Sequence, residues 1–484
     1  METRTVVIVG AGFSGTAVAI SLLRLPQPQP LRIVLIERKR RGGGAAYAPA
    51  AFPYLLNVPA GRMSASSLDP GEFLGFAQRT HPTATEHDFL PRALYGQYLE
   101  SSLLAAARAA PPEVRLERLH AEVIALDRPL RASTVDVHLD NGWRMTADAV
   151  VLAAGNPPPA ALPGSEKLTP AQYLPEPWSA PSALRSGDTV LVAGTGLTMA
   201  DVVLAAAEST EGAVKLHAIS RHGMLPASQT SFRQADEGPD SAPLLRAASV
   251  SLTHLVRAIR ALATEQDLQA GDWRETITLV RKLAPTLWQR LCPRDRQRFL
   301  RHVRPYWDVH RHRLPGETWS AINALRRSGT LRVRAGRILD LEPLRRRVRV
   351  TWRPRGEGCA VSLLVDRVVN CTGPDYGVRR SREPLLRSLI AQGIAVADPL
   401  DLGLQTAEFG ALIDATGRAA RNIYYIGPML RAKYWESTAV QELRAHAEAL
   451  ARHLAAPASA VWRPTVSDRR WAPASRAGGL AASP

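Results

Sequence analysis

Gly10, Gly12 and Gly15 stand in the run Gly-Ala-Gly-Phe-Ser-Gly directly after an apolar segment, and an acid, Glu37, follows 22 residues after Gly15. This spacing suits phosphate chemistry. The first glycine permits a tight turn, the second lets the backbone approach a pyrophosphate, and the third lets a helix pack closely on a strand. The phosphates of a dinucleotide then rest on the helix N-terminus, where free N–H groups and the helix dipole favour negative charge. The acid takes the ribose hydroxyls. A glycine turn that merely packs a helix leaves Glu37 unexplained. The first site is therefore Gly10, Gly12, Ser14, Gly15 and Glu37.

A second run, Gly194-Thr-Gly196-Leu-Thr-Met199, repeats the pattern with methionine in the third place, so its helix and strand should pack slightly wider. The strand after it ends in Ser220-Arg221-His222-Gly223, with no acid in the ribose position. A planar guanidinium there suits a 2′-phosphate, which points to NADPH. The plainer reading is an exposed arginine at a strand end. The second site is Gly194, Gly196, Thr198 and Arg221.

Other reactive side chains carry less. The three cysteines, Cys292, Cys359 and Cys371, include no CxxC pair. That sets aside the disulfide-reductase branch of two-dinucleotide flavoproteins, a structural zinc and a disulfide framework. Cys371 reads as a buried small hydrophobe at a strand end. His310 and His312 flank Arg311, so on a helix they point to different faces and do not form a metal pair. They read either as groups reaching an anionic substrate or as solvated surface positions. No metal site is expected.

The elements that must position these residues are legible as two β-α-β units. Thr5–Val9 is a continuous β-branched apolar run, the mark of a strand buried on both faces. A helix follows from Thr16 to Leu25, then a second strand, Arg32–Ile36. The unit recurs as strand Val190–Ala193, a helix from Thr198 and strand Val214–Ile219. The fold class is α/β, with two nested Rossmann-like dinucleotide-binding domains and a helical insert. The expected order is a first FAD-binding part over 1–180, an NAD(P)H-binding domain over 181–335 with the insert at about 243–325, a return to the FAD domain over 336–456, and a disordered tail over 457–484. A late helix is expected from Ser437 to Leu454.

The net charge of +17 raises nucleic-acid binding as a possibility. Five of the 61 basic residues are lysine, a skew that a GC-rich genome writes by default. The charges are also spread along the chain rather than gathered on one element. Anionic cofactors and an anionic substrate are a sufficient use for them, and no nucleic-acid partner is expected. No stretch reaches the ~18 apolar residues that a membrane span needs. The N-terminus runs into a strand without a basic leader, so the chain reads as cytoplasmic.

Taken together, GAGFSG, GGGAAYAPAAFPYLLNVPAGRMS, LPRALYGQYL, GTGLTMADV, ISRHGMLP, WDVHRHRLP, VVNCTGP and YYIGPMLRAKYWESTAV resemble a bacterial family of FAD-NAD(P)-binding proteins. That family contains flavin monooxygenase-like enzymes, among them an aspartate N-monooxygenase that makes nitrosuccinate. The resemblance runs from residue 4 to about residue 455. It implies FAD and NADPH as cofactors, with Tyr47, Asn57, Val58 and Met63 lining the flavin. It also makes the VVNCTGP strand, which carries Gly373, a later contact to FAD. Gly427–Met429 would approach the flavin at the start of the last helix. Pro428 stands where disulfide reductases place an aspartate. The implied reaction is hydroxylation of a small polar substrate, such as an amine or amino acid, by O₂ through a C4a-(hydro)peroxyflavin shielded from water. Arg311 and Arg313 are candidates to hold an acidic substrate. Two alternatives stay open: a reductase that inserts no oxygen, and a non-enzymatic flavin redox sensor. No catalytic acid–base pair is visible, and the sequence does not fix an oligomeric state.

Overall fold

The computed structural model describes residues 2–39, 44–49, 52–128, 133–229, 241–268 and 272–456. The expected tail, 457–484, lies outside the described residues. The chain opens with strand β1 (Arg4–Val9), helix α1 (Phe13–Arg24) and strand β2 (Leu31–Glu37). Helix α2 (Arg92–Ala109) leads to β3 (Val114–His120). A small antiparallel sheet of β4 (Val123–Asp127), β5 (Val135–Leu139) and β6 (Arg144–Ala147) follows, and β7 (Ala149–Leu152) returns to the main sheet.

The second sheet then forms from β8 (Tyr173–Leu174), β9 (Thr189–Ala193), β10 (Lys215–Ser220), β11 (Leu331–Leu344), β12 (Arg347–Pro354), β13 (Val361–Val365) and β14 (Arg367–Asn370). Its spatial order is β13-β12-β11-β10-β9-β14-β8. The chain finally adds β15 (Ala411–Ile413) and β16 (Ala419–Tyr425) to the first sheet, whose order is β15-β16-β7-β1-β2-β3.

Within each sheet the central strands are parallel, so their carboxyl ends share one edge. Strand β1 is apolar and buried from Val6 to Val9 because both its faces are covered there. Val6 and Ile8 pack with α1, α2 and the C-terminal helix, while Val7 and Val9 pack with the small sheet and Leu385–Leu389. The second sheet is covered on one face by helix α3 (Leu197–Ser209).

Between β10 and β11 lies the helical insert: α4 (Ala242–Val250), α5 (Leu252–Leu268), α6 (Trp273–Arg290), α7 (Arg304–Arg311) and α8 (Gly316–Arg327). Its apolar core is shared with the late part of the chain, since Leu402 and Trp435 are buried in the same cluster as Trp288 and Trp307.

Two expectations need correction. The return to the first sheet was placed at residue 336, yet β12, β13 and β14 belong to the second sheet. The long β11–β12 hairpin buries Leu341, Val348 and Val350 against that sheet, and this burial keeps the chain there until Asn370. The last helix, α9 (Val440–Ala455), starts three residues later than expected. Trp435 has φ of +59°, and the chain is extended as it enters the helix at Ala439. Among the described residues, no helix is long and apolar enough to cross a membrane.

Candidate active site

Both glycine loops leave the carboxyl edges of their sheets and open helices. In the first, Gly10 has φ of +108°, and a Cβ there would run into the carbonyl oxygen of Ala153 at the end of β7. A Cβ on Gly15 would collide with the Gly10 carbonyl. Gly12 caps α1 without any side-chain cap, so first-turn N–H groups are left for a ligand. A Cβ on Gly12 would meet only the Cα of Gly44, at 3.9 Å. This is a cradle shaped for phosphate, and it fits the pyrophosphate of a dinucleotide. Ser14 is buried in the first turn.

Glu37 closes the loop. Its carboxylate accepts from the Ala11 N–H at 2.9 Å and the Lys39 N–H at 3.0 Å. Beside it opens a cleft of about 780 Å³ lined by Ala11, Lys39, Tyr47, Gly96, Arg118 and His120. This cleft holds the acid, the loop and one of the expected flavin residues together. Tyr47 packs edge-on to Tyr95, with ring centroids 4.7 Å apart, and burial pushes its hydroxyl up to about 12. Asn57 and Val58 are half-buried on a stretch pinned to the start of α2. There the Leu56 N–H donates to the Leu90 carbonyl at 2.8 Å. Met63 is buried, 2% exposed, in the core under α1 and α2. Gly427, with φ of +137°, leaves β16 beside β7 on the same edge as Gly10.

The second loop has the same shape. Gly194 has φ of +112°, and a Cβ there would strike the Cys371 carbonyl. Gly196 caps α3 with nothing within 4 Å of a Cβ. Thr198 is half-buried in the first turn, and Met199 is fully buried among Val190, Val192 and Ala218. Where Glu37 closes the first loop, a hydroxyl pair closes the second. The Thr195 hydroxyl lies 2.8 Å from that of Ser220 and donates to the Met224 carbonyl at 2.6 Å. Arg221 is exposed just beyond. Arg355 reaches the same place, its guanidinium donating to His222 Nδ1 at 2.9 Å, and its N–H donates to Ala335 on β11 at 2.9 Å. Burial, then Arg355 and Arg221, lower the His222 pKa. The donor set suits a phosphate.

The VVNCTGP strand that carries Gly373, expected as a later contact to FAD, is β14; it pairs with β9, and Cys371 abuts Gly194. Val368 and Val369 are fully buried in the second sheet, which fixes that pairing. Beyond Gly373 the chain runs back to the first sheet. Pro374 bridges Pro159, and Tyr376 donates to Asn156 at 3.0 Å. The Cys371 thiol is buried, and burial pushes its pKa up. Such a thiol is a poor nucleophile.

Arginines of the insert converge near α9. Arg311 donates through Nε to Glu436 at 3.1 Å, and its buried Nη2 has no hydrogen-bond partner among the described residues. Arg281 pairs with Glu442 on α9, and Arg274 with Asp272. Burial, then Arg274 and Arg311, push Arg313 down to about 10. Burial raises the Glu436 pKa, but Arg311, His312 and a hydrogen bond from Trp307 hold it below the usual carboxylate range. His310 is exposed, whereas His312 is half-buried, and desolvation followed by Arg311 lowers it to about 4.

The sequence assigns no role to Glu436 or Arg355 and does not join Arg92 to Asp201, which form an ion pair. Asp201 sits in the helix that the second loop opens, but its partner belongs to the first sheet's layer, and no spacing rule connects them.

Residues 7–157 match the family model described as FAD-NAD(P)-binding. The fold as a whole is similar to that of several solved structures. L-lysine 6-monooxygenase from Pseudomonas syringae superposes with a TM-score of 0.61 at 16% identity, covering 93% of this chain and 98% of that one. Ornithine N-hydroxylase from Kutzneria sp. 744, solved with reduced FAD, NADP+ and L-ornithine, gives 0.59 at 18% identity, covering 93% and 98%. Bacillithiol disulfide reductase from Bacillus cereus gives 0.52 at 16% identity, covering 94% and 99%. No curated protein matches the chain by sequence.

Proposed function

We propose that this chain is an FAD- and NADPH-dependent monooxygenase that hydroxylates a small polar amine bearing an anionic group. The observation that carries the reading is the pair of glycine loops on two separate sheet edges, one closed by an acid and the other followed by Arg221 and Arg355. Gly10, Gly12, Ser14, Gly15 and Glu37 would hold FAD, with Tyr47, Asn57, Val58, Met63 and Gly427 toward the ring. Gly194, Gly196 and Thr198 would hold NADPH, with Gly373 beside that loop and Arg221 and Arg355 on the 2′-phosphate. When bound, FAD accepts hydride from the nicotinamide and, once reduced, activates dioxygen.

The chain's own contribution is orientation and charge. Arg313 lies among Arg274, Arg281 and Arg311, which pair with Asp272, Glu442 and Glu436, and this group of guanidiniums suits a substrate carboxylate. Arg311 acts there from its tether to Glu436. The amine nitrogen must react as the free base, so turnover should rise with pH. Two of the enzymes that share this fold hydroxylate amino acids, and the absence of a CxxC pair favours them over the disulfide reductase. The chain works on small molecules and O₂ in the cytoplasm, without nucleic acid.

The test is oxygen uptake by the NADPH-supplied protein across a panel of amines, with hydroxylated product measured by mass. Substrate-dependent uptake with product supports the proposal. Hydrogen peroxide alone across the whole panel, or rapid anaerobic reduction of an organic acceptor, would move the assignment to a reductase.

A further inference from the structure

The Arg92–Asp201 ion pair, 2.9 Å long, joins the first residue of α2 to the helix that follows the second glycine loop. Both side chains are largely buried, at 17% and 13% exposure. Each is also held from its own side. The Arg92 N–H donates to the Tyr54 carbonyl at 2.7 Å, its Nε donates to the Leu55 carbonyl at 3.0 Å, and its guanidinium lies 5.9 Å from the Tyr54 ring centre. These bonds fix the stretch that carries Asn57 and Val58. Asp201 accepts a hydrogen bond from Trp178, and its charge is felt at Cys371, whose carbonyl abuts Gly194. One pair thus joins the stretch that carries Asn57 and Val58 to the helix that follows the second glycine loop.

A buried ion pair is a poor source of net stability, because desolvation offsets most of the attraction. What a guanidinium–carboxylate contact supplies is a fixed distance and direction. Hydride transfer needs that, since the reacting atoms must come within about 3–3.5 Å in the right alignment.

We propose that Arg92 and Asp201 are positioning residues that hold the nicotinamide helix in register with the flavin stretch, setting the rate of hydride transfer rather than the affinity for either cofactor. The inference rests on the two-cofactor reading above. The step moves two electrons and a proton, as hydride, from nicotinamide C4 to flavin N5, leaving NADP+ and the anionic reduced flavin.

The test compares the holoprotein with Asp201→Asn and with the double variant Arg92→Gln/Asp201→Asn, in which no charge is left buried alone. Anaerobic stopped-flow mixing with NADPH should show the limiting flavin-reduction rate falling about 10- to 100-fold in both. FAD content and calorimetric NADP+ affinity should stay unchanged, and the charge-transfer absorbance of stacked reduced flavin and NADP+ should weaken. An unaltered rate in both variants overturns the inference. So does a loss of FAD or NADP+ binding in step with the rate, which marks a merely structural pair. A wild-type protein that NADPH does not reduce sinks the two-cofactor reading and this inference with it. Normal wild-type reduction beside unaltered variants sinks this inference alone.

Discussion

The two glycine loops share a shape and differ in how they are closed. In the first, one carboxylate, Glu37, bonds the loop at Ala11 and also faces the cleft. In the second, Thr195 and Ser220 tie the loop to the strand end through hydroxyls. Because the hydroxyls do the closing, the next residue is released from that task and can be a cation, Arg221. The third position differs as well. Gly15 lies so close to Gly10 that no side chain fits, whereas Met199 is an ordinary core residue under its strand. The lesson is that ligand charge preference is set by whichever group closes the loop, and the glycines themselves are neutral in the choice.

Several substitutions can break or sharpen this contrast. Gly15→Val should prevent folding of the first unit, because its Cβ would overlap the Gly10 carbonyl; the readout is soluble yield and circular dichroism. A folded, yellow Gly15→Val protein would end the claim of close helix–strand contact. Gly12→Val should fold but contain no FAD, since the protein leaves room there and only the ligand's phosphates compete for it. Absorbance of the purified protein decides that. Gly196→Val should keep FAD and lose NADP+ affinity by well over tenfold in calorimetry, which assigns one cofactor to each loop.

Arg221→Ala should weaken NADPH by about 10- to 100-fold while leaving NADH unchanged, as expected for one charge-assisted phosphate contact. Equal losses for both cofactors would assign Arg221 to packing. The smallest expected effect is on acid stability. Burial, then Arg334, Arg332 and Lys215, lowers His217 to about 4, and His312 is also lowered to about 4. Both are neutral when folded and protonate near 6.5 when unfolded, so the unfolded state binds more protons in between. Stability should therefore fall as pH drops from about 6.5 to about 4. Thermal melts across that window should flatten in His217→Gln; an unchanged slope would remove His217 from the account.

Both loops, Glu37 and Arg221 were legible because each sits within one β-α-β unit, where spacing in sequence is spacing in space. The stretch proposed to line the flavin came from family resemblance, since Tyr47 and Asn57 have no generic pattern. What escaped was everything that crosses between sheets. Arg355 arrives from the far end of a hairpin, and Glu436 meets Arg311 across 125 residues. The placement of β14 was misjudged because a late apolar strand fits either sheet equally well by composition. Only its pairing with β9 decides the matter, and pairing partners are not written in local sequence.

The position of β16 in the first sheet has a consequence for synthesis. Strand β7 is complete at residue 152, but its neighbour β16 is not made until residues 419–425. At roughly 5–20 residues per second on the ribosome, that edge waits on the order of tens of seconds. Throughout that wait a buried-type apolar strand, Ala149-Val-Val-Leu152, has an open side able to accept any passing strand. Overproduction should therefore favour aggregates nucleated at the first sheet, and slowing initiation or lowering the temperature should raise the soluble yield more than any change to the second sheet.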